Sequence, residues 1–323
     1  MSGAPGQSPL EALRAGGKRA MALALARIEA APGESLTLGL LDAAYGDPKA
    51  HVVGVTGPPG VGKSTLISRL VNAYRDRGRS LGVIAVDPSS RQSGGALLGD
   101  RMRLEVDPDD QGIFVRSMAA RERLGGLAPL THTAVVLMRA VYDQVIVETV
   151  GVGQSEVDVA SVCDTVVLCI QPASGDCLQY MKSGIAEIPH IAVVSKADLG
   201  HLARKAQSDL EAVLGLAGGG QGNEWQVPVL LASGTAGQGI DALLERLAEH
   251  AGYLAAEGRL EHRRAAQVGA WLKDAVREEF GRFGLERAAR LPGGLGLEPE
   301  QSPFRRLREI DRMLRERRLV PLP

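Results

Sequence analysis

Residues 57–65 read GPPGVGKST, and no other stretch says more about this chain. Gly57, Gly62, Lys63 and Ser64 have the G-x-x-x-x-G-K-S/T spacing, which forms a strand-to-helix loop whose backbone N–H groups converge on an anion. Glycine permits close backbone approach, lysine brings a cation to the β and γ phosphates, and the serine hydroxyl suits a magnesium ion. The stretch therefore predicts a nucleoside triphosphate site. Its predicted phosphate-binding residues are Gly57, Pro58, Pro59, Gly60, Val61, Gly62, Lys63, Ser64 and Thr65.

The residues on either side have the pattern that such a loop requires. Residues 51–56 include three valines, which is typical of a buried parallel strand. Residues 64–74 carry Leu66, Ile67, Leu70 and Val71 at helical spacing. A strand before the loop and a helix after it favour a true phosphate loop over a glycine-rich turn that binds nothing.

Composition argues against several classes of partner. The 323 residues suffice for one large α/β domain with a smaller attachment, and 45% hydrophobic residues support a sizeable core. Only 3% are aromatic, so stacking platforms for single-stranded nucleic acid are hard to assemble. A net charge of −1 also disfavours a general polyanion-binding surface. We therefore expect no nucleic-acid partner.

The cysteines and the apolar segments indicate the compartment. Cys163, Cys169 and Cys177 form no C-x-x-C pair, so we expect small core residues rather than a disulfide framework or a zinc site. Residues 1–31 lack an apolar run that fits a signal peptide, and no segment approaches the ~20 apolar residues of a membrane span. The prediction is a cytoplasmic protein with no membrane partner.

Apolar runs and helical stretches alternate along most of the chain. This alternation is typical of an α/β fold, a mostly parallel sheet wrapped by helices. The predicted strands are 51–56, 81–86, 113–118, 144–149, 165–170, 190–195 and 227–232.

Helices are predicted at both ends of the chain. Residues 10–30 read as two short helices interrupted at Gly16 and Gly17. Residues 261–280 and 303–319 each show an apolar helical stripe. These patterns predict an N-terminal helical segment (1–46), a P-loop domain (47–255) and a C-terminal helical segment (256–323).

The strand at 144–149 ends in ETVGVGQ, which supplies two further candidates. Glu148 is placed to meet magnesium directly or through water, because this hard cation prefers oxygen ligands. Gly151 could turn its N–H toward the γ phosphate and make the following loop sensitive to that phosphate. We therefore predict Lys63, Glu148 and Gly151 as the catalytic residues. The alternative is an ordinary strand-to-loop turn.

The sequence SKAD at 195–198 resembles the N/T-K-x-D motif with which guanine-nucleotide proteins read the base. The Asp198 carboxylate can accept hydrogen bonds from guanine N1–H and the 2-amino group, whereas adenine offers no such donors. Lys196 would lay its stem over the ring, and Ser233 and Gly234 are further base-site candidates. Ser195 and Gly234 replace the residues usual in this class, so we expect GTP selectivity with reduced affinity.

Beyond these motifs, the chain resembles the MeaB/ArgK family of methylmalonyl-CoA mutase-associated GTPases, a branch of the SIMIBI P-loop class. Four blocks outside the P-loop carry the resemblance. They are AVDPSSRQSGGALLGDRMRL (85–104), FVRSMAARERLGGL (114–127), VETVGVGQSEVDVA (147–160) and PASGDCLQYMKSG (172–184).

The resemblance implies a metal shell, a switch and a partner. Asp87 and Asp100 would join Ser64 and Glu148 around Mg²⁺. Asp176, Gln179 and Lys182 would form a switch that relays the GTP or GDP state. The partner would be an adenosylcobalamin-dependent acyl-CoA mutase of the methylmalonyl-CoA mutase type. The protein would gate cofactor loading on that mutase and protect it, and the C-terminal segment would form a homodimer.

Hydrolysis is predicted to be slow without a partner. Val152 stands where some GTPases carry a water-orienting glutamine, and Gln154 lies two residues further on. Arg91, Arg101 and Arg116 are possible sources of a catalytic arginine, although a surface or salt-bridge role is the more common one for such residues.

Three rival functions stay open. A nickel-insertion GTPase needs a His/Cys cluster, and the six histidines are scattered along the chain. A nucleotide-dependent kinase would give SKAD no role, and a protein-targeting GTPase would need a Met-rich binding domain. The arginines from Arg305 to Arg318 could contact CoA phosphates or a partner, or they could form one solvated helix face.

Overall fold

The chain forms two compact units in the computed structural model, which describes residues 7–88, 104–120, 129–149, 158–172, 188–218, 225–298 and 301–316. The first unit comprises Met1–Lys49, Pro129–Val141 and Glu261–Pro323. The second unit comprises Ala50–Ala128 and Tyr142–Leu260. Residues 129–141 thus group with both ends of the chain. The division at 1–46, 47–255 and 256–323 follows chain order and stays a prediction about boundaries.

The second unit is built on a seven-stranded parallel sheet with the order β3-β2-β4-β1-β5-β6-β7. All seven predicted strands are confirmed, and the observed strand ends differ from the predicted ones by at most two residues. The α/β fold class is confirmed with them. The strands are β1 (His51–Thr56), β2 (Leu81–Pro88), β3 (Ile113–Ala120), β4 (Gln144–Glu148), β5 (Thr165–Ile170), β6 (Ile191–Val194) and β7 (Val229–Leu231).

Helices account for most of the described residues outside the strands. No described helix combines the length and the apolar content needed to cross a membrane. The helices are α1 (Pro9–Ala15), α2 (Gly17–Ala30), α3 (Ser35–Gly46), α4 (Lys63–Asp76), α5 (Pro129–Val141), α6 (His201–Gly218), α7 (Ile240–Ala255), α8 (Arg259–Ala288) and α9 (Pro303–Glu316).

Two apolar clusters hold helices to the sheet of the second unit. In the larger cluster, α4 contributes Leu66, Ile67 and Leu70, and α7 contributes residues such as Leu243, against β1, β2 and β4. In the other, α6 packs through residues such as Leu210 against β5, β6 and β7. Strands β1, β4, β5 and β6 are buried almost throughout, which explains their near-continuous apolar sequences. This packing fixes the loops at the carboxyl ends of the strands.

The first unit has its own core, and it absorbs the apolar stripe at 261–280. Trp271 and Phe280 pack against a buried cluster formed by residues of α8, α9 and the segment between them. The Trp271 ring also stacks on His132 at 4.8 Å and meets Phe304 at 5.3 Å. Core packing therefore explains the stripe, and its aromatic rings are not by themselves a sign of dimerisation.

At the N-terminus, the predicted interruption between two helices lies at Gly16, between α1 and α2. Ser8 and Glu11 form a reciprocal capping box that starts α1. Arg14 ties this helix to α5, because its guanidinium donates to the Ala140 carbonyl at 2.9 and 2.7 Å. Helix α3 has no counterpart among the predicted elements.

The arginines of α9 are paired with groups of their own unit. Arg306 is buried and donates to the carbonyls of Pro292 and Gly294, both at 2.7 Å. Arg305 pairs with Asp42, and Arg315 pairs with Asp311 and Glu279. Arg308 and Arg312 reach Asp311 and Glu316 at 3.9 and 4.0 Å. These pairs support the interpretation of α9 as a salt-bridged face rather than a CoA phosphate site.

Candidate nucleotide-binding site

The loop between β1 and α4 has the backbone that its glycines predict. Gly57 has φ 138°, and a Cβ built there would lie 2.1 Å from the Cys169 carbonyl oxygen. Gly62 has φ 96° and caps α4 in the left-handed conformation. Both positions therefore require glycine, one for space and one for backbone conformation. Gly60 shares the positive φ, at 74°.

Lys63 closes this loop on itself. Its side chain is only 7% exposed, and Nζ donates to the carbonyls of Gly57 at 2.7 Å and Pro58 at 3.0 Å. These bonds hold a cation inside the ring formed by residues 57–63. The ammonium group is thus in place for an anion that the loop N–H groups would bind.

Ser64 and Glu148 are brought together as predicted for a metal shell. The Ser64 hydroxyl donates to Glu148 Oε1 at 2.7 Å. Glu148 ends β4 opposite Val55 of β1, which carries its carboxylate to the phosphate loop. Both side chains present oxygen atoms, which magnesium prefers as ligands, so this pair fits such an ion.

Cys169 lies next to the phosphate loop, where the charges of Lys63 and Glu148 both act on its thiol. Burial raises the pKa of its thiol to about 12, with Lys63 opposing the shift and Glu148 adding to it. The thiol therefore stays protonated at neutral pH. Cys163 is also buried, so both described cysteines are core residues as predicted, and Cys177 lies outside the described residues.

The base-reading candidates follow the neighbouring strands. Ser195 is buried directly after β6, and its hydroxyl donates to the Ile170 carbonyl at 2.9 Å. Lys196 adopts a left-handed conformation, φ 55°, and its Nζ donates to Gln171 at 2.6 Å. Ser195 thus fixes its loop to the end of β5, next to the Cys169 carbonyl that lies against Gly57. Ser195 therefore ties this loop to the neighbourhood of the phosphate loop.

Ser233 connects Asp198 with the loop after β7. The Ser233 hydroxyl donates to Asp198 Oδ1 at 2.6 Å and accepts from the Ala236 N–H at 3.2 Å. Ser233 and Gln238 also exchange two backbone hydrogen bonds, at 3.0 and 3.1 Å. The loop is therefore closed on itself, and it holds one oxygen of an exposed carboxylate.

Gly234 lies directly on the first turn of α4. A Cβ at this position would stand 2.9 Å from Thr65 Cγ2 and 3.2 Å from the Leu66 nitrogen. The alanine usual in this class would therefore force the two segments apart. Close packing, rather than a weakened contact, accounts for glycine here.

Arg69 is a residue of this site that the sequence analysis missed. Its Nε donates to the Gly234 carbonyl at 2.7 Å, and its Nη2 donates to the Thr235 carbonyl at 3.3 Å. No motif contains this arginine, because its partners are backbone carbonyls 165 and 166 residues further along the chain.

Several predicted residues cannot be placed. Asp100, Gly151, Asp176, Gln179 and Lys182 lie outside the described residues, as do Val152, Gln154, Arg91 and Arg101. The backbone of Asp87 is described, within β2 opposite Ala119 of β3. Arg116 lies on β3 opposite Ile84.

Three of the six histidines are not scattered in space. His51 and His250 both lie 2.6 Å from the Thr165 hydroxyl, and the His190 and His250 rings are 4.5 Å apart. Scattering along the sequence was therefore a poor guide to their arrangement. In the part of the chain that the structure describes, no group of three or more His, Cys, Asp and Glu residues is placed to hold a metal ion.

Comparisons with known proteins agree with the fold and identify the family. The family described as "Methylmalonyl Co-A mutase-associated GTPase MeaB" matches residues 19–285. A Pyrococcus horikoshii protein named "Putative GTPase PH0274" is 40% identical over 274 residues, covering 83% of this chain and 84% of that protein. The mouse mitochondrial methylmalonic aciduria type A homolog is 38% identical over 237 residues, which are 72% of this chain and 57% of that protein.

A solved structure extends the comparison to almost the whole chain. The crystal structure of a LAO/AO transport system kinase has a TM-score of 0.65 and 28% sequence identity. It covers 95% of this chain and 96% of that one.

A parallel sheet with a lysine-containing phosphate loop after its central strand defines a P-loop nucleoside triphosphatase. Within that class, the chain belongs to the MeaB family of methylmalonyl-CoA mutase-associated GTPases. It is a GTPase, as the resemblance of the sequence blocks predicts.

Proposed function

We propose that this GTPase is a nucleotide-dependent chaperone of an adenosylcobalamin-dependent acyl-CoA mutase. It gates cofactor loading on the mutase and protects the mutase from inactivation. The observation that supports this proposal is the family match over residues 19–285, because the matching family is described by its association with methylmalonyl-CoA mutase. A homodimer and cytoplasmic residence belong to the same proposal.

Guanine selection is assigned to the loops after β6 and β7. Asp198 accepts hydrogen bonds from guanine N1–H and the 2-amino group, while Lys196 covers the ring. Ser233 holds Oδ1 of Asp198 at 2.6 Å, so the carboxylate is oriented before the base arrives. Adenine would leave this carboxylate without those donors, which favours GTP over ATP.

Phosphate binding is assigned to residues 57–65. Lys63 neutralises charge on the β and γ phosphates, and the loop N–H groups from Gly60 to Thr65 orient them. Ser64 and Glu148 would hold Mg²⁺, together with Asp87 and Asp100. Bound Mg²⁺ would supply neutralisation of charge that develops on the transferred phosphoryl group.

Partner control follows from the rest of the proposed site. Gly151 senses the γ phosphate through its N–H, and Asp176, Gln179 and Lys182 relay the nucleotide state to the mutase. Hydrolysis by the isolated protein is slow, because Val152 cannot orient a water molecule. The mutase therefore sets how long the GTP state lasts.

Replacing the hydrogen-bond acceptor of Asp198 by a donor tests the base site. In Asp198→Asn, the side-chain amide can donate to the 2-oxo group of xanthine, so we expect GTP affinity to fall more than tenfold and XTP affinity to rise. Asp209→Asn, which changes an exposed carboxylate on α6, is the matched control. Unchanged GTP and XTP dissociation constants in Asp198→Asn would disprove base reading by Asp198.

A capture experiment tests the partner. The full chain loaded with a non-hydrolysable GTP analogue is incubated with native extract, and the bound proteins are identified by mass spectrometry. We expect an adenosylcobalamin-dependent mutase in this sample and less of it with GDP or with Lys63→Ala. Recovery independent of nucleotide, or no mutase in any sample, would contradict the proposal.

A kinase remains the second candidate, because the similar solved structure is named as a transport system kinase. The two activities differ in the fate of the γ phosphate. Release of inorganic phosphate with water as acceptor supports the GTPase switch. Transfer to a protein or small-molecule acceptor faster than phosphate release would favour the kinase.

A further inference from the structure

We propose that Arg69 is a positioning residue for guanine recognition, a role that rests on the base site proposed above. Arg69 lies six residues after Lys63 on α4, about 9 Å along the helix axis. Its guanidinium spans two consecutive carbonyls, Gly234 at 2.7 Å and Thr235 at 3.3 Å. One side chain thus joins the phosphate-binding helix to the base-binding loop.

The backbone of Gly234 packs against the first turn of α4 too closely to leave room for a side chain. The backbone at Gly234 rests on Thr65 and Leu66, and a Cβ added at Gly234 would lie only 2.9 Å from Thr65 Cγ2. Because residue 234 has to be glycine, it has no side chain that could anchor the loop to the helix. The planar guanidinium supplies the anchor, because its N–H groups form a fork that matches two acceptors.

The position of this loop determines the position of Asp198. Gly234 and Thr235 follow Ser233, whose hydroxyl donates to Asp198 Oδ1 at 2.6 Å. Ser233 is 1% exposed and is paired with Gln238 through two backbone hydrogen bonds. The described contacts therefore run from Arg69 through the loop to the carboxylate that reads the base. Arg69 touches neither the base nor the phosphates in this scheme.

Arg69→Met removes the donors and keeps the aliphatic stem. We expect the dissociation constants of GTP and GDP to rise about fivefold, the size of a lost charge-assisted hydrogen bond at an exposed site. ATP binding does not use Asp198, so its dissociation constant should stay unchanged. The kcat at saturating GTP should stay within about twofold of wild type, because the loop residues that hold phosphate are intact.

Two further variants separate positioning from general destabilisation. Arg69→Lys keeps the charge but cannot offer a planar fork, so we expect an intermediate GTP affinity. Arg77→Met is the matched control, because Arg77 is also an exposed arginine next to α4 and its partner is Asp241, 3.1 Å away on α7. It should bind GTP as wild type does.

The comparison of nucleotides decides between the outcomes. Equal loss of GTP and ATP affinity in Arg69→Met, or wild-type GTP affinity, would overturn the role of Arg69. If Asp198→Asn also leaves base preference unchanged, the base site itself is wrong. If Asp198→Asn shifts preference to XTP while Arg69→Met has no effect, only the inference about Arg69 fails.

Discussion

At the residue scale, Gly57 shows how one missing side chain permits the phosphate loop. Gly57→Ala would place a Cβ 2.1 Å from the Cys169 carbonyl oxygen, so backbone has to move. We expect loss of measurable GTP binding and a fall of several kcal/mol in unfolding free energy. Gly78→Ala is the control, because Gly78 has φ 73° but open space around a Cβ.

Urea unfolding and GTP titration of the two variants measure this difference. Gly78→Ala should lose only about 1 kcal/mol, the usual penalty for a left-handed alanine. Equal destabilisation of both variants would show that backbone conformation, and not contact with β5, makes Gly57 necessary.

His132 provides a second prediction at this scale. Burial, with a smaller contribution from the charge of Arg139, lowers the pKa of His132 to about 3 from 6.5. Its Nδ1 has no hydrogen-bond partner in the described part of the chain. Below pH 6.5, His132 is protonated in the unfolded chain but stays neutral in the folded chain. Its contribution therefore destabilises the fold progressively as pH falls toward 3.

His132→Phe keeps an aromatic ring against Trp271 and removes the titrating nitrogen. Relative to wild type, we expect this variant to gain about 2 kcal/mol of unfolding free energy between pH 7.5 and pH 5. Chemical denaturation at both pH values gives the difference. An identical pH dependence in wild type and His132→Phe would contradict a neutral buried imidazole.

The site residues that sequence predicts best are those that belong to a local motif. Lys63 and Ser64 follow from local spacing, and the structure places them at the start of α4 with Lys63 bonded to Gly57 and Ser64 bonded to Glu148. Arg69 has no such signal, because its partners are carbonyls of a loop that only the tertiary fold brings close. Backbone acceptors carry no residue identity, so sequence reasoning has nothing to detect.

At the element scale, a hydroxyl links helix α7 to the sheet. Thr165 on β5 is fully buried between His51 of β1 and His250 of α7, with both hydrogen bonds at 2.6 Å. Thr165→Val keeps the shape and removes this shared partner from the buried His250 ring and the partly buried His51 ring. We expect a loss of about 2 kcal/mol in unfolding free energy.

Thr165→Ser retains the hydroxyl and is the control for this prediction. It should lose less stability than Thr165→Val, although it is the smaller side chain. Thermal and urea unfolding of both variants decide the order. Greater stability of the valine variant would show that apolar packing, not the hydroxyl, dominates at this position.

The sequence predicted strands with bounds, but it gave no bounds for helices α3 and α5. Parallel strands are buried on both faces and bounded by loops, so their short apolar runs are distinctive. Helix α5 is buried at every residue from 131 to 140, and its sequence contains the run AVVLM, which is also compatible with a buried strand. Helix α3 lacks a side-chain hydrogen bond at its N-cap, which removes the usual start signal.

At the scale of the whole molecule, the grouping of segments could not be predicted. The first unit combines both ends of the chain with residues 129–141, and contacts among such distant segments have no local pattern. The second unit follows from the alternation of strands and helices, which is a local signal. All described residues of the proposed nucleotide site lie in this second unit.

Ligand linkage turns this location into a final prediction. GTP at a hundred times its dissociation constant should stabilise the unit that binds it by about 2.7 kcal/mol, so amides that exchange only when this unit unfolds should slow about a hundredfold. The buried strands β1, β4 and β5 supply such amides, and hydrogen exchange read by mass spectrometry measures them. Lys63→Ala should show little slowing, because it lacks the phosphate-binding cation. Equal protection by GTP in wild type and Lys63→Ala would place binding elsewhere, since the linkage requires the ligand to contact the loop that Lys63 closes.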